Sequence, residues 1–212
     1  MKKTEIVLFV LILLAFAVGI CLYPQMPEQM ASHWNAQGQV DGFMSKFWGV
    51  FLMPFVLVIL ALIFIAIPRI DPLKKNIAQF EKYYNEFIII FFLFLLSIYF
   101  QTLLWNLGIK INPGIIIPIG LGILFFYVGI LLEKAKRNWF IGIRTPWTLS
   151  SDRVWDKTHQ IGGKLFKLSA IIVFIALFFP RYTTYFILGP ILAATLFSVG
   201  YSYYAYQKEK KA

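Results

Sequence analysis

Residues that could recognise a ligand are concentrated in two polar segments of this 212-residue chain. The first, the outer segment at residues 24–46, holds an imidazole, an indole, an amide and a carboxylate, which belong to His33, Trp34, Asn35 and Asp41. His33 and Asp41 could form an acid–base pair. The four groups could also form a recognition surface for a molecule arriving from outside the cell, or anchor the segment at membrane headgroup depth through the indole. The sequence leaves these interpretations open.

We predict a short amphipathic helix in the outer segment. Met26, Met30 and Trp34 recur four residues apart, and this spacing places the three side chains on one face of a helix. Asn35 and Gly38 are residue types that commonly end a helix. Such a helix would lie against the membrane surface, with its apolar face towards the lipid.

The second segment, the inner segment at residues 133–164, combines Trp139, Trp147 and Trp155 with many charged residues. Three tryptophans exceed what anchoring a loop to a membrane surface needs. The segment could grip a protein partner, or it could dock into the inner mouth of a helix bundle. It could also be an ordinary interfacial helix with Arg144 on a lipid phosphate. These interpretations also stay open.

Local signals predict how the inner segment folds. Pro146 disfavours helical geometry at the residue before it, so residues 144–147 are predicted to be extended or turning. One of two adjacent serines, Ser150 or Ser151, is a suitable N-cap for a following amphipathic helix. The tryptophan of that helix is expected to stack on His159, four residues later.

Six long apolar runs must position these two segments. A hydrocarbon core of about 30 Å requires roughly 20 helical residues, and helices satisfy their backbone polar groups internally. We interpret the first run as a retained span, because it lasts about 18 residues and no small-residue cleavage site follows it. The predicted fold is an all-α membrane protein, a bundle of six transmembrane helices with short amphipathic helices in the outer and inner segments. The predicted spans are residues 6–23, 47–67, 87–105, 114–132, 165–179 and 183–206.

Basic residues indicate which way the bundle faces. The chain has 20 lysines and arginines and a formal net charge of +10. All of them except Lys46, Lys110 and Arg181 lie near the termini or in alternate connections, which include the inner segment. This bias predicts a multi-pass protein of the cell membrane with both termini in the cytoplasm. Because the charges flank apolar spans, they predict contact with membrane lipids and no direct binding of nucleic acid.

The six spans carry no central ionisable residue. Such groups usually mark ion or proton pathways, so their absence argues against a proton- or sodium-coupled transporter. A transporter of small solutes or lipids is an alternative function, and it would need a polar cavity between the helices. A membrane-embedded enzyme that uses His33 and Asp41 is a weaker alternative.

The residue types present do not support catalysis. A zinc hydrolase would need two histidines at close helical spacing, whereas His33 and His159, the only histidines, are predicted to face opposite sides of the bilayer. The chain has neither a Gly-x-Ser-x-Gly motif nor a Walker phosphate-binding loop. Cys21 is the only cysteine, so no intramolecular disulfide can form. We therefore predict no enzymatic activity, no cofactor and no metal site.

The two polar segments also carry a resemblance to known families. The pattern His33-Trp34-Asn35-x-x-Gly38-x-x-Asp41-Gly42, placed after a first span, resembles an N-terminal module of unknown function found in many bacterial and archaeal membrane proteins. The run Ile141-Gly142-Ile143-Arg144-Thr145-Pro146-Trp147-Thr148-Leu149, followed by Val154-Trp155, resembles the hallmark of the SdpI-like immunity family. The resemblance covers one membrane domain, residues 1–212, with a two-helix module at 1–67 and a four-helix SdpI-like region at 87–206.

The resemblance to the SdpI-like family implies immunity to a secreted toxic peptide that damages the membrane. It also implies signalling, in which a cytoplasmic repressor is held at the membrane once the toxin is present. The residues implied for toxin recognition in the outer segment are His33, Trp34, Asn35, Gly38, Asp41 and Gly42. The residues implied for coupling to a partner in the inner segment are Gly142, Arg144, Thr145, Pro146, Trp147, Thr148, Trp155 and His159.

Overall fold

The computed structural model describes residues 2–35 and 37–211, and within these ranges six helices are long and apolar enough to cross a membrane. These six helices are α1 (Lys2–Leu22), α2 (Lys46–Ile70), α4 (Glu81–Asn106), α5 (Pro113–Lys134), α7 (Asp152–Ile175) and α8 (Thr183–Lys210). Two short helices, α3 (Lys74–Ala78) and α6 (Pro146–Ser150), lie in the connections, and single 3-10 turns occur at Tyr23–Gln25, Ala176–Phe178 and Pro180–Tyr182. Each long helix contains most or all of one predicted span, so the predicted all-α bundle is confirmed.

Side-chain caps fix where α5 and α7 begin. Asn112 accepts a hydrogen bond from the backbone N–H of Gly114 at 2.8 Å, and Pro113 occupies the first helical position of α5. Ser151 accepts from the N–H of Val154 at 3.2 Å, so the second of the two candidate serines caps α7. Each cap of this kind stabilises a helix by about 0.5–2 kcal/mol.

The amphipathic helix predicted in the inner segment is the first part of α7, not a separate element. α5 ends at Lys134 and α7 begins at Asp152, so the connection is shorter than the predicted segment and comprises residues 135–151, here called the inner loop. Gly163 lies within α7. It lets α5 and α7 approach closely. A Cβ atom at Gly129 or at Gly163 would lie 2.6 Å from the other residue's carbonyl oxygen.

The bundle has two halves. In the first half, α1, α2 and α4 pack together, and the Tyr99 hydroxyl donates to the carbonyl oxygen of Ala15 at 3.1 Å. In the second half, α5, α7 and α8 form the most extensive helix contacts of the molecule. The halves meet where α4 packs on α5, and there the Tyr127 hydroxyl donates to the carboxylate of Glu86. A hydroxyl that cannot reach water must find such a partner, so these bonds fix how the helices face one another.

The predicted helix in the outer segment is wrong, because that segment forms a β-hairpin. Strand β1 (Gln29–Trp34) pairs antiparallel with β2 (Val40–Ser45), with Met30 opposite Met44 and an irregular register near Trp34. A spacing of four residues places side chains on one face of a helix and equally on one face of a strand, so the recurrence could not distinguish the two. Residues 29–45 are called the outer hairpin below.

Candidate functional site

The turn of the outer hairpin is built by the side chain of Asn35. Its Oδ1 atom accepts hydrogen bonds from the backbone N–H groups of Gln37 and Gln39, each at 3.0 Å. Its backbone N–H donates to the carbonyl oxygen of Gln39 at 2.9 Å. Gly38 has a φ of +75°, a conformation that favours glycine. Asn35 and Gly38 were predicted to recognise a toxin, and here they shape the turn that presents their neighbours.

His33 and Asp41 form a pair on the outer hairpin, as their chemistry allowed. The Nδ1 atom of His33 lies 2.5 Å from Oδ1 of Asp41, and the two side chains are 71% and 44% exposed. Gly42 lies opposite His33, and a Cβ atom at Gly42 would come within 2.8 Å of the His33 Cβ. An exposed pair of this kind adds little stability to the fold, and both side chains are accessible to solvent.

The outer hairpin is fastened to the end of α4 by a residue that the sequence did not single out. Asn106 accepts from the backbone N–H of Ala31 at 2.8 Å and donates to its carbonyl oxygen at 3.0 Å. Beside this clamp, Trp34 packs edge-on against Trp105, with ring centroids 5.4 Å apart. Trp34 therefore faces α4, while His33, Asp41 and Gly42 lie together along the hairpin.

A second contact seats the outer hairpin on α2. Met30 is fully buried, and a Cβ atom at Gly49 would lie 2.6 Å from its sulfur. The glycine thus leaves the room that the methionine side chain fills. The hairpin therefore rests on two helices of the first half, so its position depends on how α2 and α4 pack.

Asn138 organises the first turn of the inner loop. Its side chain is fully buried, and its Oδ1 atom accepts from the N–H groups of Phe140 and Ile141 at 2.9 and 2.6 Å. Its amide nitrogen donates to the carbonyl oxygens of Lys136 and Ile141 at 2.8 and 2.9 Å. These four hydrogen bonds to backbone groups fix the first turn of the loop. The only signal in the sequence is an asparagine between a basic run and a tryptophan, which was not enough to identify it.

His159 joins the inner loop to α7 through both of its ring nitrogens. The Ile143 N–H donates to Nε2 at 3.0 Å, and Nδ1 donates to the carbonyl oxygen of Trp155 at 2.8 Å. Because Nε2 accepts a hydrogen bond, it carries no proton, and the imidazole is neutral. The predicted stacking on Trp155 is confirmed, since the ring centroids are 3.9 Å apart and the planes differ by 16°.

Gly142 and Trp155 complete this contact. Gly142 has a φ of +117°, and a Cβ atom there would lie 2.3 Å from Nε2 of His159. The Trp155 indole N–H donates to the carbonyl oxygen of Ala135 at 2.8 Å, at the start of the inner loop. Only glycine fits at position 142, for its conformation and for the space available.

Thr145 and Thr148 attach the middle of the inner loop to α8. They form a reciprocal capping box at the start of α6, with Pro146 at the first helical position. The extended conformation predicted before this proline is confirmed, since Thr145 has φ −117° and ψ +162°. The Thr145 hydroxyl lies 3.1 Å from the Ser202 hydroxyl of α8.

Two tryptophans and an arginine form the outward face of the inner loop. The ring of Trp147 lies 5.0 Å from that of Tyr203 on α8. Arg144 is exposed, and its Nη1 donates to the carbonyl oxygen of Trp139 at 2.7 Å. Trp139 itself is 51% exposed. Among the predicted inner residues, Gly142, Thr145, Thr148, Trp155 and His159 hold the loop in place, whereas Arg144 is exposed and Trp147 is half-buried.

The connection between α2 and α4 braces the inner loop, which the sequence did not predict. Asp71 is buried, and its Oδ2 atom accepts from the Trp139 N–H at 2.9 Å. The side chain of Asn76 donates to the carbonyl oxygen of Arg137 at 2.8 Å. Arg137 in turn pairs with Asp152, with Nε and Oδ1 2.7 Å apart. The inner loop is therefore bonded to the first half of the bundle and to α7 and α8.

A crevice of about 510 Å³ lies between the two halves of the bundle. Its walls come from α2, α4, α5, α7 and α8 and are mainly apolar, and residues 140–145 of the inner loop close one end. Arg144 contributes a charged side chain to that end. The arrangement offers two surfaces for recognition, the outer hairpin and the inner loop, together with an apolar space that ends at the inner loop.

Comparisons with known proteins agree with this division. Residues 10–58 match a domain of unknown function (DUF1648), and this range covers much of α1, the outer hairpin and half of α2. Residues 134–202 match the SdpI/YfhL protein family, and this range covers the inner loop, α7 and much of α8.

One curated relative matches along nearly the whole chain. The chain is 30% identical over 207 residues to the immunity protein SdpI of Bacillus subtilis (strain 168), which covers 97% of each protein. No solved structure matches. Because the similarity runs through both halves of the bundle and both loops, this six-helix membrane protein belongs to the SdpI/YfhL family of immunity proteins.

Proposed function

We propose that this protein protects the cell that makes it from a secreted toxic peptide that damages the membrane. The observation that carries the proposal is the relationship to an immunity protein over 97% of both chains, which includes the outer hairpin and the inner loop. A relationship confined to the apolar helices would support only a common membrane architecture. Here it includes the polar segments in which recognition chemistry is concentrated.

We further propose that both termini face the cytoplasm, so that the outer hairpin faces outwards. The basic residues support this orientation, because all but Lys46, Lys110 and Arg181 lie on the side of the termini and inner loop. In this orientation a peptide that arrives from outside meets the hairpin before it meets the bundle.

The outer hairpin offers a peptide that enters the membrane both polar and apolar contacts. The exposed His33–Asp41 pair provides hydrogen-bonding groups. On the same hairpin Phe43 is 63% exposed, and Phe47 and Trp48 at the start of α2 are also exposed. Exposed aromatic rings near polar groups are typical of binding surfaces at a membrane interface. We assign toxin recognition to this surface.

The inner loop is the proposed coupling element. Arg144 is exposed and Trp147 is half-buried against Tyr203, whereas their neighbours are fixed by hydrogen bonds to α7 and α8. A rigid loop that presents a guanidinium and an indole is suited to hold a protein partner, since arginine and tryptophan are enriched where interfaces are strongest. A cytoplasmic repressor held at the membrane would fit this role.

Of the two transport alternatives, for small solutes and for lipids, transport of small solutes is less well supported than immunity. The crevice between the halves is lined mainly by apolar side chains, and such a lining cannot replace the hydration of a polar solute. Arg144, the charged group at its inner end, would give a polar solute one contact, whereas transport needs polar contacts along the whole crevice. These properties favour immunity over solute transport.

The proposal is tested in Bacillus subtilis cells that lack the related immunity protein and grow beside cells secreting the toxic peptide. The full chain should restore their survival. The double variant Arg144→Ala, Trp147→Ala should lose most of the protection, because it removes the guanidinium and the indole that are proposed to hold a partner. Arg153→Ala, which removes an exposed arginine outside the inner loop, should protect like the unchanged chain.

Membrane insertion is measured for each variant by its amount in the membrane fraction. Survival no better than without the protein, at normal membrane levels, would contradict the proposed immunity. Unchanged protection by the double variant would contradict the role of the inner loop.

A further inference from the structure

We propose that the crevice between the two halves binds one anionic phospholipid, with an acyl chain in the crevice and the phosphate on Arg144. This inference concerns a binding site and does not depend on the proposed immunity function. It rests on the shape of the crevice, on the chemistry of its walls, and on the charge at its inner end.

The walls of the crevice suit a hydrocarbon chain. They include Phe64 of α2, Phe87 of α4, Val128 of α5, Phe166 of α7 and Val199 of α8. The volume of about 510 Å³ lies within the range of roughly 300–1,000 Å³ that is typical of small-molecule sites. An apolar space of this size next to lipid is more favourably filled by an alkyl chain than by water.

Arg144 places a charge where the crevice ends. One nitrogen of its guanidinium donates to the Trp139 carbonyl oxygen, and this bond holds the group beside the loop. A guanidinium has five N–H donors, and its fork matches the oxygens of a phosphate. The neighbouring indole of Trp139 is half exposed, as is common at headgroup depth.

The pairing of nearby charges singles out Arg144 as the group that an anion would meet. Lys136 pairs with Asp156 at 3.5 Å, and Arg137 pairs with Asp152 at 2.7 Å. Among the ion pairs of residues 2–35 and 37–211, none involves Arg144. A guanidinium at the mouth of an apolar crevice, with no acidic partner, is complementary to a phosphate headgroup.

The chemistry of the crevice favours a lipid over a peptide helix as the occupant. A single acyl chain is narrower than a helix, which with its side chains is about 10–12 Å in diameter. A lipid also brings an anionic group that complements Arg144, the charged side chain at the inner end.

Native mass spectrometry of the purified full chain tests the proposal, with phosphatidylglycerol and phosphatidylcholine supplied in equal amounts. The unchanged protein should retain one phosphatidylglycerol in preference to phosphatidylcholine. Arg144→Gln should weaken phosphatidylglycerol binding about tenfold, because a charge-assisted hydrogen bond is lost. Arg153→Gln, which removes an exposed arginine outside the crevice, should bind like the unchanged protein.

A second pair of variants tests the acyl-chain part of the site. Val199→Trp should block the crevice and lower lipid retention, whereas Leu196→Trp adds the same side chain on an exposed face of α8 outside the crevice and should not. Equal retention of phosphatidylglycerol by all five proteins would overturn the proposal, as would equal retention of both lipids by the unchanged protein. A lipid-free dimer that Val199→Trp abolishes would assign the crevice to a second copy of the chain and also overturn it.

Discussion

At the scale of single residues, His159 is a side chain that ties the inner loop to α7. It accepts from Ile143 and donates to Trp155, so it links a loop and a helix with one neutral ring. A lysine or arginine could not take this role, because neither has an acceptor. The residue was predicted as part of a coupling site, and its contacts indicate that it acts by holding the loop that presents Arg144 and Trp147.

The first prediction concerns this acceptor. His159→Phe keeps an aromatic ring beside Trp155 but leaves the Ile143 N–H without its partner. An unpaired N–H in such a place costs about 1–3 kcal/mol, so the midpoint of thermal unfolding should fall by roughly 2–10 °C. The midpoint is measured on the purified protein in detergent. Lys157→Ala, an exposed change on the same helix, should leave it unchanged, and equal midpoints for both variants would show that the bond is unimportant.

Local rules predicted some of these residue contacts and missed others. The stacking of Trp155 on His159 and the extended geometry before Pro146 follow from positions close in sequence, and both are confirmed. Asp71 is different, because its partner Trp139 lies in a connection between other helices. No pattern in a single sequence indicates which of two distant loops will meet, so this bond became visible only in the folded chain.

At the scale of elements, the outer hairpin is the clearest case in which the sequence misled. The recurrence of Met26, Met30 and Trp34 suits a helix and a strand equally. In this chain residues 29–34 form a strand, which pairs with residues further along. Asn35 and Gly38 were assigned to the end of the predicted helix, whereas they form the turn of the hairpin. The spans predicted from length and hydropathy were more reliable, because the thickness of a membrane fixes how long and how apolar a spanning helix must be.

The second prediction concerns the clamp between α4 and the outer hairpin. Asn106→Ala removes both hydrogen bonds to the backbone of Ala31, and β1 should then open more often. Two lost bonds of about 1 kcal/mol each should speed amide hydrogen exchange in β1 by at least about tenfold. Exchange is followed by mass spectrometry on peptides from residues 29–34.

Thr102→Ala provides the matched control, because its hydroxyl bonds only to the carbonyl oxygen of Ile98 within α4. Exchange in β1 should stay unchanged in this variant. If Asn106→Ala also left exchange unchanged, the hairpin would be held by Met30 and Trp34 alone.

At the scale of the whole molecule, the inner loop is the part that connects the two halves. It receives hydrogen bonds from the α2–α4 connection through Asn76, gives one to Asp71, and meets α8 at Ser202. The outer hairpin rests on α2 and α4, so a ligand that shifts these helices would also strain the inner loop. Coupling between the two surfaces would need two alternative packings of the halves, and their shared contacts give that coupling a physical route.

The third prediction concerns the orientation of the whole bundle. In a Cys21→Ser background, which removes the only cysteine, single cysteines replace Gln37, Ser150 or Lys208. A membrane-impermeant maleimide applied to intact cells should label position 37 alone, and permeabilised cells should allow all three to react. The reason is the bias of basic residues towards the side of the termini. Labelling of positions 37 and 150 from the same side would contradict the six-span topology with the inner loop in the cytoplasm.

The buried carboxylate of Asp71 also has a consequence for how the protein is made. Its Oδ1 atom accepts locally from the Leu73 N–H, but the partner of Oδ2, the Trp139 N–H, belongs to a part of the chain that the ribosome delivers two spans later. Because chains fold from the N-terminal end as they emerge, the first three spans enter the membrane while Oδ2 of Asp71 is still hydrogen-bonded to water. The bundle can therefore close at this point only after α5 has been inserted. Assembly then has a late step in which the inner loop bonds to the α2–α4 connection.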